Sequence, residues 1–337
     1  MSTASKAAEA AKTAALFHAA LVALGVRVAI EALQLWQDVA TSPARLPQTA
    51  EKWLGQATNL TMFRRRHARD LAFSYYRLTR ALRTGYTIQP LDEDEATEEV
   101  PLDTLRTDFY EKVQELTPDV LEQEDFDTEE FLDGGDEQAE VEELARLREE
   151  EEQAERDAEE EARIVLEALG PNNLNKRLKL IDTEEPASKV DQDREDAHRA
   201  AGARQASASA RVAMNGGRQG LQRLGDKDAR AIGWVRLGRT GTPCGWCALF
   251  ISRGATYKSK KSAQGARLAP GAKPNDGRLF HDNCNCYVEQ IFTDAQYEES
   301  TYDLNREYEA LWPAVTRGLE GKEALAAWRR HFRNQKS

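Results

Sequence analysis

The chain has 337 residues, 31% charged and 40% hydrophobic, with a formal net charge of -12 and a mean hydropathy of -0.68. Such a length has room for two domains, and such polarity excludes one large apolar globule in favour of extended, solvated helix. The charge comes in blocks: residues 91–165 hold 32 acidic against 6 basic side chains, residues 1–90 hold 12 basic against 5 acidic, and residues 166–337 hold 28 against 21. The blocks, rather than the average, therefore speak for partners.

Taken in order, residues 4–40 read as a long helix, Ala-rich and with Leu16, Ala20, Ala23, Leu24, Val28, Leu35 and Val39 near helical spacing. The N-terminus, with Lys6 and Lys12, shows no apolar run ending in a cleavage site. Leu16–Trp36 is the most apolar stretch, but His18, Arg27 and Glu31 interrupt it, which predicts no membrane span and an intracellularly made, soluble protein with reduced thiols. Ser42-Pro43 and Leu46-Pro47 end this helix, and Thr61 to Thr84 forms a second, capped by Gly85. The second helix interleaves Arg64, Arg65, Arg66, Arg69, Arg77, Arg80 and Arg83 with Phe63, Phe73, Tyr75 and Tyr76. Such a pattern suits nucleic acid. It equally suits aromatics packed inward with the arginines in water or paired to the neighbouring acidic block.

The acidic block opens at Asp92, and Gln123 to Asp136 reads as loop. Gln138 to Leu169 reads as one long, exposed, acidic helix packed at its ends, stopped by Gly170-Pro171, and Asn172 to Pro186 as a linker. Ala197 to Met214 is helical again, and Asn215-Gly216-Gly217-Arg218 breaks it as a tight helix end or gives close backbone approach for a ligand. Ile232–Leu237 and a strand from Cys284 through Phe292 predict a small antiparallel sheet. Leu311 to Phe332 closes the chain as a final helix. The fold class expected is therefore α+β but mostly α-helical: N-terminal helices, a long acidic helix, and a small C-terminal α+β module with antiparallel strands and a Cys/His cluster. The divisions are an N-terminal helical region 1–90, an acidic linker and charged helix 91–170, a Cys/His-cluster domain 171–295 and a helical tail 296–337.

All four cysteines of the chain, Cys244, Cys247, Cys284 and Cys286, fall within residues 244–286, and His281 sits beside the second pair. Cys-x-x-Cys presents two sulfurs to one point, and Cys-x-Cys on an extended strand places both side chains on one face. Together they give five candidate metal ligands, enough for a closed tetrahedral structural zinc site. The segment between the pairs is longer than in common zinc ribbons. Disulfides, a packed reduced cluster, or a thiol catalyst built on Cys244-Gly-Trp-Cys247 or on a Cys–His281 pair remain open. The basic, Gly/Pro-rich segment 258–278, with Lys258, Lys260, Lys261, Arg267, Lys273 and Arg278, reads as a solvated loop or as a cationic surface for DNA or an acidic partner.

Four stretches carry a resemblance: Val212-Ala-Met-Asn-Gly-Gly-Arg218, Gly233-Trp-Val-Arg236, the run from Pro243 to Tyr257 around Cys244-Gly-Trp-Cys247, and Phe280-His-Asp-Asn-Cys-Asn-Cys286. Over residues 205–292 the chain resembles the MuF-like minor capsid, or head morphogenesis, proteins of actinobacterial tailed phages, some of which are labelled capsid maturation proteases. The resemblance implies a virion protein made in the host cytoplasm and packaged in low copy inside the procapsid. There it would assist head assembly and genome packaging or ejection. Implied partners are the portal and the major capsid and scaffold proteins, with DNA at segment 258–278 and no membrane. The family motif's cysteine and histidine positions are all present. No Ser–His dyad or carboxylate pair supports the protease label, and a thiol–disulfide exchanger is a further alternative.

Overall fold

Three long helices carry the fold in the computed structural model, which describes residues 2–92, 97–117, 137–238, 243–256, 280–281 and 284–334. They are α1 (Thr3–Trp36), α2 (Leu46–Thr84) and α6 (Ala187–Lys227). Between them come β1 (Tyr86–Ile88), β2 (Glu99–Pro101), α3 (Leu102–Leu116), β3 (Gln138–Glu142), α4 (Leu147–Leu169) and α5 (Pro171–Leu178). The chain closes with β4 (Gly233–Leu237), α7 (Gly245–Ile251), β5 (Tyr287–Ile291), α8 (Asp303–Val315) and α9 (Gly321–Asn334). The mostly helical fold with a small α+β part is the one expected.

Local chemistry sets several of these boundaries. Ser2 caps α1 by accepting from the Ser5 amide at 3.2 Å. Pro47 sits in the first turn of α2, where its missing N–H costs nothing, so α2 starts well before Thr61. Gly85 takes φ 80° and ends α2, as expected. Pro171 likewise opens α5, so part of the expected linker 172–186 is helical. The expected final helix is two, α8 and α9. Gly318 (φ 73°) and Gly321 (φ 51°) make the turn between them.

Two other expectations fail for tertiary reasons. The segment from Gln138 to Leu169 is not one helix. Its first five residues form β3, which pairs parallel with β1 and antiparallel with β2. Helix α4 is also not packed only at its ends, because Leu147, Glu151, Ala158, Ala162 and Leu166 are buried along its length. And α6 runs unbroken through Asn215-Gly216-Gly217-Arg218. A Cβ at Gly216 would strike the Arg65 carbonyl oxygen, and one at Gly217 would lie 2.7 Å from that of Ala68. These glycines let α2 and α6 close to backbone contact.

That contact predicts opposite outcomes for one substitution at two sites. Gly216→Ala should destabilise the protein by about 1–3 kcal/mol through overpacking. Gly55→Ala, in α2 with open space around it, should be neutral or stabilise by up to about 1 kcal/mol. Denaturant unfolding of both variants checks the pair, and equal effects would refute the close-approach role.

The core begins with Phe17, Leu21, Leu24 and Val28 of α1 against Leu71, Tyr75 and Leu78 of α2 and Leu221 and Leu224 of α6. By length and hydropathy α1 meets the requirement for a membrane span despite His18, Arg27 and Glu31, yet its apolar face lies in this core. Arg64, Arg65, Arg69, Arg77, Arg80 and Arg83 of α2 meet acids of the chain itself. Arg65 Nε donates to Glu155 of α4 at 3.0 Å, Arg77 Nη1 to Asp108 at 3.1 Å, and Arg80 Nε to Asp228 at 2.6 Å. Arg223 of α6 reaches Glu151 and Arg106 of α3 reaches Glu9. The basic and acidic blocks thus pair internally, although Arg65, Arg77 and Arg80 are buried rather than left in water.

The two-stranded ladder β4–β5 is antiparallel, with Trp234 opposite Gln290, Arg236 opposite Val288, and Leu237 opposite Tyr287. Every residue of both strands is buried. Strand alternation explains how. Val235, Leu237, Tyr287 and Ile291 join the helical core, where Tyr287 meets Phe17 edge-on at 5.5 Å. Trp234 and Val288 face the other way, into a second apolar cluster with α7, Tyr308, Trp328 and Phe332. The cysteines lie in that second cluster.

Candidate metal centre

Cys244 is the N-cap of α7, and its sulfur accepts the Cys247 amide at 3.4 Å. One turn of helix therefore aims both thiols of Cys-x-x-Cys the same way. Cys284 and Cys286 lie immediately before β5, not within a strand starting at Cys284 as expected. The turn into them is closed by the Cys284 amide donating to the His281 carbonyl at 3.2 Å.

The structure brings all five predicted ligands together. Cys247 Sγ lies 3.3 Å from both Cys284 Sγ and Cys286 Sγ, which are 2.7 Å apart. His281 Nε2 is 3.0 Å from Cys244 Sγ and 3.7 Å from Cys247 Sγ. The donors form two triads that share Cys247, one of Cys244, Cys247 and His281, the other of Cys247, Cys284 and Cys286. Each triad is tight enough to hold a metal ion, and no sulfur pair is at disulfide bonding distance. Soft sulfur and imidazole donors at this density match zinc, which takes four such ligands tetrahedrally.

Electrostatics argue the same way. Two thiolates 3.3 Å apart repel by about 5 kcal/mol at an effective dielectric constant of 20. Sulfurs this crowded stay ionised together only around a cation. Without one, hydrogen bonds to Cys244, Cys284 and Cys286 push the Cys247 thiol far up. Hydrogen bonds from Cys247 and Cys286, with Arg218 and Arg236 nearby, hold Cys284 far below the usual thiol range. Cys244 is lowered to about 4, chiefly by its hydrogen bond with Cys247 and then by His281, against the opposing effect of burial.

Three residues outside the predicted ligands complete the site. Arg236 of β4 is fully buried and forks onto Cys286 Sγ, with Nε at 3.1 Å and Nη2 at 2.9 Å. Arg218 of α6, also fully buried, donates to the Cys284 carbonyl. Both guanidinium carbons stand 4.7 Å from the Phe280 ring centroid. His18 of α1 is buried with Nε2 2.7 Å from the Asn285 carbonyl oxygen. The two arginines end the sequence stretches Val212–Arg218 and Gly233–Arg236, and an arginine alternating with Trp234 on an apolar strand was the signal available. Nothing in the sequence marked His18. The basic segment 258–278, and Asp282 and Asn283, lie outside the described residues.

The fold and site together define a mostly helical protein with a Cys/His cluster able to hold a metal ion. Residues 181–312 match a family model described as VG15 protein, and the match spans the whole cluster as well as Arg218 and Arg236. It indicates a phage-related protein. No curated protein and no solved structure matches the chain.

Proposed function

We propose that this chain is a MuF-like minor capsid protein of a tailed phage, acting in head morphogenesis from the procapsid interior with a zinc-clamped C-terminal module. One observation carries the reading: the phage-related family match covers the segment in which five soft donors converge. Zinc fits the donor set, and its service there is structural, fastening α7 to the chain before β5. The chain's own residues do the rest. Arg236 and Arg218 fix the Cys-x-Cys segment, and α1 with α2 offers the surface for portal or shell. The divisions near residues 90, 170 and 295 are functional rather than packing boundaries in this reading, since the main core includes residues from both sides of each. DNA contact is assigned to segment 258–278 and predicts affinity that falls steeply with salt.

The test is proteomic. Purified virions and procapsids of the phage encoding this chain should contain it at low copy, and co-expressed portal should co-purify with it. Its absence from both particles would sink the reading.

A second reading rests on the 3.0 Å contact of Cys244 Sγ with His281 Nε2, the arrangement of a thiol nucleophile and its base. It makes the chain a capsid maturation protease or, through Cys244 and Cys247, a thiol–disulfide exchanger. Co-expression with the major capsid protein separates these. Processing abolished by Cys244→Ala and by His281→Ala supports the protease, and unchanged or absent processing removes it. Slow alkylation of the native thiols counts against the exchanger.

A further inference from the structure

We infer that Arg236 is a positioning residue of the metal centre: its guanidinium fork donates to the Cys286 sulfur from outside the coordination shell and aims that sulfur at Cys247 and Cys284. The inference rests on the metal-centre reading above and adds to it a fixed cation supplied by the fold.

The fork itself carries the argument. Strand alternation sends Arg236 to the same face of β4 as Trp234, the face that looks into the second apolar cluster. Arg236 is fully buried there, and a buried charge is costly unless it is paired. Two of its N–H groups converge on one atom, Cys286 Sγ, with Nε at 3.1 Å and Nη2 at 2.9 Å. A protonated thiol is a weak acceptor, whereas an ionised sulfur takes charge-assisted hydrogen bonds. The fork therefore suits the form of cysteine that binds a metal.

The surroundings hold the fork in place. Its guanidinium carbon stands 4.7 Å from the Phe280 ring centroid and 5.3 Å from that of Phe250. Asn305 Nδ2 donates to the Arg236 carbonyl at 2.9 Å and to the Ile251 carbonyl at 3.1 Å, tying β4 to the end of α7. Helix α7 carries Cys247, so one tie places both the arginine and a donor that its sulfur must meet. Cys286 Sγ in turn lies 3.3 Å from Cys247 Sγ and 2.7 Å from Cys284 Sγ, and these three buried sulfurs form one triad. Arg218 grips the same Cys-x-Cys segment by its main chain, at the Cys284 carbonyl. A lysine at 236 would keep the charge but would lose both the planar fork and the stacking face.

The test compares full-length wild type with Arg236→Lys and Arg236→Met, each loaded with zinc or cobalt(II). In chelator competition Arg236→Met should bind zinc about 10–100-fold more weakly, the range for a partner outside the shell. Arg236→Lys should fall between the two. Hydrogen bonds to a ligating thiolate lower the energy of its lone pairs. The sulfur-to-cobalt charge-transfer band should therefore move to longer wavelength in Arg236→Met. An arginine that only packs would weaken binding without moving the band. An unmoved band, whatever the affinity, overturns this assignment and leaves the metal centre standing. A wild-type protein that takes up neither zinc nor cobalt overturns both. If Arg236→Met does not fold, the band of Arg236→Lys decides the matter by the same criterion.

Discussion

A strong chelator added to the zinc-loaded protein at neutral pH should release one metal per chain, make the cluster cysteines reactive to a thiol reagent, and melt α7 with its surroundings. Structural zinc sites in small peptides supply about 10–16 kcal/mol of folding free energy. Here the effect is local. The second apolar cluster includes Cys247, Cys284 and Cys286 themselves, with Phe280, Trp328 and Phe332. Separating the sulfurs therefore opens the packing between α7 and α9. The main core of α1, α2 and α6 contains no cysteine and stays folded. Far-ultraviolet circular dichroism should fall slightly, while tryptophan emission shifts strongly, since Trp234, Trp246, Trp312 and Trp328 all belong to the affected cluster. Reloading should release protons, because the ligating thiols bind metal as thiolates. Purified protein that holds no metal, or whose thiols are equally slow with and without chelator, would refute the expectation.

The second large effect is at Asp228, just after α6. Its carboxylate accepts from Arg80 Nε at 2.6 Å and Nη2 at 3.0 Å, from the Tyr76 hydroxyl at 2.7 Å and from the Arg230 amide at 2.9 Å. Arg80 also donates to Glu142 and to the Thr87 carbonyl. Asp228→Ala removes one side of a buried ion pair and should cost about 3–5 kcal/mol, because Arg80 keeps its charge with less to face. Replacing both partners together with apolar residues, as in Arg80→Met with Asp228→Leu, should recover much of that loss. Equal losses in the single and double variants would contradict the coupling.

The same network fixes a pH dependence. Burial by itself raises the Asp228 carboxyl, but hydrogen bonds from Arg80 and Tyr76 outweigh it and hold the group below its ordinary value. Glu142 is lowered chiefly by its hydrogen bond from Arg230 and then by Arg80, against its own partial burial. A carboxyl depressed in the folded state stabilises fully above its unfolded value, about 4 for these side chains, and loses that contribution as pH falls through the folded value. Stability should therefore decline below about pH 4. Asp228→Ala should flatten the decline in acid unfolding curves, and an unchanged curve would count against this assignment.

How much of this could be read from the chain depends on whether a pattern was local. The cysteine spacing was local, and it led to the five donors that the fold brings together. Gly85 acts through backbone geometry alone, so its position was legible too, whereas Gly170-Pro171 was legible as the end of α4 but not as the start of α5. Gly216-Gly217 looked like a helix end because glycine permits one. The residues that decide the matter, Arg65 and Ala68, sit on another helix far away in sequence. Gln138–Glu142 reads as helix beside a Glu-rich run, and only pairing with β1 and β2 makes it a strand. His18 was read as an interruption of an apolar helix. Its partner is a carbonyl 267 positions away, and no periodicity encodes that.

The His18 contact has a mechanical consequence. The peptide carbonyls of Cys284 and Asn285 are each gripped by a different long helix, Arg218 from α6 and His18 from α1. Both long helices are thereby tied to the short segment that carries Cys284 and Cys286, so a substitution that displaces either helix is expected to move that segment as well.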